Sequence, residues 1–150
     1  MSAITIIGWR EWVALPELDL PGIKAKIDTG AKTSALHAYR VRTEKRDGHI
    51  WADFFVHPVQ RKRHPEIACT APVVDERGVR SSNGKIEQRL TIRTKMKLGP
   101  YTFPADFTLT NRDEMGFRML IGRAALKRRY IVDSGESFAT GKLASQAGSR

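Results

Sequence analysis

Apolar and polar residues alternate with a period of two along much of this chain, the spacing of half-buried β-strands. Residues 23–27 (Ile, Lys, Ala, Lys, Ile) alternate in this way and run directly into Asp28-Thr29-Gly30. Upstream, the apolar run 4–9, broken at Gly8, and the run 12–15 predict a first strand pair. Pro16 and Pro21-Gly22 punctuate the connection, since proline cannot donate to a strand ladder. Residues 33–38 read as a loop or a single helical turn. Residues 39–44 alternate again, Asp47-Gly48 signals a hairpin, and 50–56 is apolar on much of both faces, which predicts a central strand. A basic excursion with Pro58 and Pro65 occupies 57–66, and strand character resumes at 67–74.

A long hairpin follows. Residues 75–82 lead up, Asn83-Gly84 suits a type I′ turn, and the strand from Lys85 leads down with Ile86, Leu90, Ile92, Met96 and Leu98 at even positions. A tip this polar and small cannot be core, so it projects over something. After Gly99-Pro100, the residues Tyr101, Phe103, Ala105, Phe107 and Leu109 alternate cleanly with polar or small neighbours. A polar loop at 110–116, a buried strand at 119–121, a short basic helix at 123–129 and a closing strand at 130–133 complete the pattern. About nine short strands and one helix predict a small all-β barrel over residues 4–133, and the Ser/Gly/Lys-rich stretch 134–150 is expected to be a loose polar tail.

Composition narrows the class. At 150 residues, 41% hydrophobic and 28% charged, the chain is sized for one globular domain. Cys69 is the sole cysteine, so no intrachain disulfide forms, which fits a reducing cytoplasm. No apolar run approaches the ~20 residues of a membrane helix, and the first residues lack a signal-peptide pattern, so a cytoplasmic protein without membrane attachment is expected. The net charge of +10 attracts polyanions without choosing among nucleic acid, acidic peptides and anionic lipid.

Asp28 is the candidate for chemistry. A carboxylate at the end of a buried strand costs free energy unless donors or a use compensate. Thr29 offers a hydroxyl, and Gly30 permits φ > 0 and a close approach of backbone N–H groups. A second piece lies late in the chain: Phe117-Arg118-Met119-Leu120-Ile121-Gly122-Arg123-Ala124-Ala125-Leu126, an apolar strand, a glycine and a short helix. Strand, Asp-Thr-Gly and a late apolar-apolar-Gly resemble the half-barrel of retropepsin-like aspartic proteases. The longer string Asp28-Thr29-Gly30-Ala31-Lys32-Thr33-Ser34-Ala35-Leu36-His37-Ala38, together with Arg80-Ser81-Ser82-Asn83-Gly84, resembles the bacterial RimB-like branch, often labelled an ATP-dependent zinc protease and associated with RimK-type glutamate ligases.

The resemblance implies an all-β, retropepsin-like (acid protease) half-barrel with one short C-terminal helix, and a mechanism that needs two carboxylates. One Asp-Thr-Gly per chain then implies a homodimer that supplies a second Asp28. It further implies that Asp28 is the shared acid and base and that Thr29 reaches across the two-fold axis. Gly30 and Ala31 would present N–H groups to substrate. Arg80, Ser81, Ser82, Asn83 and Gly84 would form a flap, and Gly122 would let the late strand cross behind the Asp28 loop. Lys32, Thr33 and Ala124 depart from the usual retropepsin residues, and Thr33 leaves Arg123 without the acid that commonly pairs with it. Ser34 completes the expected substrate-binding loop. Lys32, Arg80 and Arg123 could make the cleft cationic, which suits an acidic or polyglutamylated peptide substrate.

The zinc and ATP parts of the label find no motif. His-Glu-x-x-His is absent, His37, His49, His57 and His64 lack ligand spacing, and Gly78 to Gly84 does not complete a phosphate loop, so neither a metal nor another cofactor is expected. Cys69 lies in an apolar strand, as a core residue would. The competing reading is a small non-enzymatic barrel that binds nucleic acid or another polyanion, supported by Arg61-Lys62-Arg63-His64, Lys127-Arg128-Arg129 and 3 Trp. It lacks interleaved aromatic and basic stacking positions and leaves the Asp28 loop unexplained.

Overall fold

The computed structural model describes residues 3–59, 64–80, 83–111 and 116–141, with eleven strands among them. β1 (Thr5–Ile7) pairs in parallel with β11 (Tyr130–Val132) as a separate two-stranded ribbon. β2 (Arg10–Leu15) and β3 (Leu20–Ile27) are antiparallel, joined by a 3-10 turn at Pro16–Leu18 that ends on Asp19 at φ 57°. β4 (Ser34–His37) is followed by β5 (Tyr39–Arg46), β6 (His49–Val56), β7 (Ile67–Arg80), β8 (Ile86–Leu98) and β9 (Tyr101–Thr110). β10 (Met119–Ile121) and the single helical turn α1 (Arg123–Leu126) lead into β11.

The sheet order β2-β3-β10-β4-β9-β8 closes on itself where Ala14 of β2 pairs with Lys97 of β8. Six strands thus make a closed barrel, and β7, β6 and β5 extend from β8 as an antiparallel flank. Closure removes the free edges of the barrel sheet. Its interior is filled by Ile23, Ala25 and Ile27 from β3, Ile92, Met96 and Leu98 from β8, Phe107 from β9, and Met119 and Ile121 from β10, as the apolar pattern predicts, and by Leu36 from β4, which it did not. Each large apolar side chain of this set contributes about 1.5–3 kcal/mol by leaving water.

Four local expectations are corrected. Residues 34–37 form strand β4, because β10 and β9 lie on either side and satisfy its backbone where its own four residues give little pattern. The β7–β8 ladder pairs Arg80 with Ile86, and Gly84 takes a positive φ while Asn83 does not, so Asn83-Gly84 is not the type I′ turn that was expected. The helix stops at Leu126, short of the anticipated 123–129. Residues 134–141 are packed, although a loose tail was expected from residue 134.

That packing centres on Glu11, which is fully buried. Its carboxylate accepts hydrogen bonds from the Gly8 N–H (2.6 Å), the Ala139 N–H (2.8 Å), the Thr140 N–H (3.3 Å) and the Thr140 hydroxyl (2.8 Å). Phe138 stacks on Trp12 at 5.6 Å, and the Arg10 guanidinium lies over the Phe138 ring. A Cβ on Gly8 would stand 2.3 Å from the Glu136 carbonyl oxygen, so only glycine fits there. No helix among the described residues is long and apolar enough to cross a membrane.

Candidate active site

Asp28 sits one residue beyond β3, where the barrel brings three segments together. β10 inserts between β3 and β4, parallel to the first and antiparallel to the second. The Asp28 N–H donates to the Ile121 carbonyl at 2.8 Å, so the acid is pinned to the end of β10. The loop after it folds back on the start of α1: the Arg123 N–H donates to the Ala31 carbonyl (2.8 Å) and the Ala124 N–H to the Lys32 carbonyl (3.0 Å). The Gly122 N–H donates to Ser34 Oγ at 3.0 Å. A Cβ on Gly122 would lie 2.5 Å from the Thr33 carbonyl oxygen and 2.9 Å from that of Ala31. Glycine at 122 is therefore a steric requirement of the crossing that the sequence suggested.

The side chain of Asp28 is half-buried, and Thr29 and Gly30 beside it are exposed. The Gly30 N–H donates to Asp28 Oδ1 at 3.1 Å. Gly30 does not use the left-handed region that its residue type would permit. Its smallness matters for another reason: a Cβ there would stand 3.3 Å from Asp28 Oδ1 and crowd the carboxylate. Arg123 finds its partners in backbone. Its Nη1 donates to the carbonyls of Thr29 (3.3 Å) and Gly30 (3.1 Å), which ties the loop tip to the helix.

The residues Asp28, Thr29, Gly30, Ala31, Lys32, Thr33, Ser34 and Arg123 thus converge in one braced loop. Two of them have roles other than those expected. Ser34 is buried, and its hydroxyl serves Gly122, so it supports the loop from behind. Arg123 spends donors on carbonyl oxygens of its own chain. Lys32 and Thr29 border an open groove of about 670 Å³ together with Ala124, Leu126, Tyr130 and Val132. At the hairpin tip, Asn83 Oδ1 accepts the Lys85 N–H at 3.1 Å and Gly84 takes φ 85°. Arg80 closes the ladder with its backbone, and Ser81 and Ser82 lie outside the described residues, as do residues 60–63 of the basic excursion.

Sequence reasoning passed over a second feature of this face. His37, Arg89 and Arg118 line a groove of about 220 Å³ with Thr33, Ala35, Thr108, Thr110 and Leu120. The alternation of β4 puts His37 on the same side as Ala35, a signal that was hidden because the segment did not read as a strand.

The donor set does not fit a zinc ion. Among the described residues, no three His, Cys, Asp or Glu side chains converge. Cys69 is buried, and that burial pushes its thiol up to about 12, with Asp19 adding to the shift, so it is neither a ready thiolate ligand nor a nucleophile.

Comparison with known proteins shows the family and the fold. The family model described as "Retropepsin-like aspartic endopeptidase RimB" matches residues 6–142. A crystal structure of Lpg0085 from Legionella pneumophila, a protein of unknown function, superposes with a TM-score of 0.75 at 26% identity, covering 92% of this chain and 99% of that one. Two curated relatives, from Shewanella halifaxensis and Desulfotalea psychrophila, are each named "Probable alpha-L-glutamate ligase". They are 46% and 44% identical over 91% and 95% of this chain. The chain spans only 30% and 31% of their lengths, so the name describes proteins of which this barrel matches a part.

Proposed function

The chain belongs to the RimB-like family of retropepsin-like aspartic endopeptidases, and from that premise we propose that it is a homodimeric aspartic peptidase. Two copies of Asp28 would face each other across the two-fold axis and share one proton, because two carboxyl groups this close cannot both ionise. The ionised member takes a proton from a water molecule as its oxygen attacks the peptide carbonyl carbon. The protonated member donates to the carbonyl oxygen. The tetrahedral adduct then collapses, the C–N bond breaks, and the amine leaves with a proton supplied by the dyad.

The observation that carries this reading is the combination at Asp28. The backbone around the acid is fixed by bonds to Ile121, Ala31 and Lys32, while the carboxylate itself is half-buried and bordered by the exposed Thr29 and Gly30. A fixed, approachable acid is what a second copy would need to complete. The ligase-named relatives support glutamate-rich peptides or protein tails as the substrate class, and with it a functional link to a RimK-type glutamate ligase in the cytoplasm. The alternative of a non-enzymatic polyanion binder rests on the +10 charge, two basic runs and the 3 Trp, and gives the braced loop no purpose.

The test is cleavage of a glutamate-rich peptide by the wild-type chain and by Asp28→Asn, with circular dichroism on both. Cleavage that vanishes in a folded Asp28→Asn protein supports the reading, and equal turnover by the two overturns it.

A further inference from the structure

The register of the barrel fixes where a line of cations stands relative to Asp28. Lys26 pairs with Leu120, Leu120 with Ala35, Ala35 with Thr108, and Thr108 with Thr91. These five half-buried residues form one row across four strand boundaries, and the Thr91 and Thr108 hydroxyls, 3.3 Å apart, show that the row shares a face. Two residues further along each strand, the next row runs Asp28, Gly122, Thr33, Asp106 and Arg93. Gly122 lies against Thr33, and Arg93 pairs with Asp106. Past Arg93, β8 carries Lys95 and Lys97 on the same side at steps of ~6.7 Å. Arg93, Lys95 and Lys97 are exposed, whereas Thr94, Met96 and Leu98 are buried. Four strand spacings of ~4.8 Å put this line about 19 Å from Asp28 around the barrel.

We propose that Lys95 and Lys97, with the groove beside them, form an exosite that holds an acidic stretch of the substrate about six residues from the cleaved bond. The proposal rests on the peptidase reading and deepens it. A groove of about 580 Å³ between α1 and β9 is lined by Lys32, Thr33, Arg93, Pro104, Asp106 and Arg129. Asp106 is the one acid among its described lining residues, and Arg93 holds it through two bonds of 2.7 and 3.1 Å. Lys32 and Arg129 therefore leave the groove positive. The Arg129 guanidinium is itself set over the Phe103 ring at 3.8 Å. Further along, Lys95 stands opposite Pro104, and Lys97 between Thr102 and Ala14, so no acid faces either across the ladder. The carboxylate of Glu17, close to Lys95, is occupied by the Lys95 N–H (3.0 Å) and the Thr94 hydroxyl (3.4 Å).

Charge and spacing select the occupant. Alternate side chains of an extended peptide recur at the same ~6.7 Å as those of β8, so glutamates two apart meet Lys95 and Lys97 in step. A nucleic-acid strand would need faces to stack on, and the aromatic ring of the groove, Phe103, is buried beneath Arg129. Arg129 closes the basic run 127–129, which the chemistry at Asp28 leaves unused. At ~3.3 Å per residue, an extended chain covers about 19 Å in roughly six residues, and a shorter tail ends before the line.

The experiment takes one cleaved peptide and extends it at either end with glutamates, from none to about twice the six that the distance requires. For wild type, KM is expected to fall on the order of tenfold once the extension passes about six residues, with kcat unchanged, and the step to shrink as salt screens it. Lys95→Gln/Lys97→Gln should abolish the step and leave short peptides cut at the wild-type rate. Arg42→Gln/Lys45→Gln, which removes the same charge from exposed positions on β5, should keep it. No step with length, an equal step from glutamine extensions, or an equal loss in both double variants overturns the exosite and leaves the peptidase reading standing. If wild type cuts no peptide, the peptidase reading fails, and fluorescence anisotropy of a labelled polyglutamate against a single-stranded RNA of equal length decides the exosite. Tighter binding of the peptide, lost in Lys95→Gln/Lys97→Gln, upholds it, and tighter binding of the RNA or no loss in the variant overturns it.

Discussion

The molecule holds two carboxylates at structurally decisive positions, and it treats them oppositely. Glu11 is fully buried and receives four hydrogen bonds, three from backbone N–H groups and one from a hydroxyl. Asp28 is half-buried and its side chain receives one, from the Gly30 N–H. The first acid is saturated, and it joins the start of β2 to residues 139–140. The second has a rigid backbone and an open side chain. A carboxylate that serves the fold gathers every donor in reach, whereas one kept for chemistry must leave lone pairs for water and for a second acid. The contrast lies in the side chains, since the backbone around Asp28 is itself held by bonds at Ile121, Ala31 and Lys32.

Breaking each acid should therefore separate activity from stability. Asp28→Asn is expected to lower peptide cleavage by about 10³-fold or more, since it removes the shared acid and base, while the melting temperature moves by no more than a few degrees. Glu11→Gln should do the reverse. It replaces an ionised acceptor by an amide whose NH₂ meets donors on all sides, at a cost of about 3 kcal/mol, read as a fall in the urea midpoint. A Glu11→Gln protein as stable as wild type would show that residues 134–141 are held by the Phe138–Trp12 stack instead.

How much of this could be read from the chain depended on whether a contact was local. Alternation made β3 and β9 plain, and Asp28-Thr29-Gly30 with Gly122 marked the two halves of the loop crossing. β4 was hidden because its four residues have no period of their own, and its strand identity comes from β10 and β9 beside it. The packed segment 134–141 was hidden because its anchor, Glu11, lies far away in the chain and its own composition is polar. The row of Lys26, Leu120, Ala35 and Thr108 was hidden for the same reason: it exists only once β10 slips between two strands that precede it in sequence.

A smaller effect tests whether the rigidity around Asp28 matters in itself. Gly122→Ala adds a methyl 2.5 Å from the Thr33 carbonyl oxygen, which belongs to backbone and cannot swing aside. The strain should cost about 1–3 kcal/mol. Because the displaced segment is the Asp28 loop, kcat should fall by more than the stability loss explains at temperatures where the variant remains folded. A proportionate loss of both would mean that the crossing serves stability alone.

The smallest effect tests whether the open acid is completed by its twin. If each functional unit needs two Asp28 carboxylates and the chains exchange freely, adding an equal amount of Asp28→Asn chain to a fixed amount of wild type doubles the dimers. One quarter of them then carry both acids, so cleavage falls by about half, as random pairing in a two-fold dimer requires. An inert protein of equal mass should leave the rate untouched. A mixture that keeps the full wild-type rate after prolonged incubation at a concentration near the dimer dissociation constant would mean that Asp28 works within one chain. The difference between Asp28 and Glu11 would then be one of exposure only, with no second copy behind it.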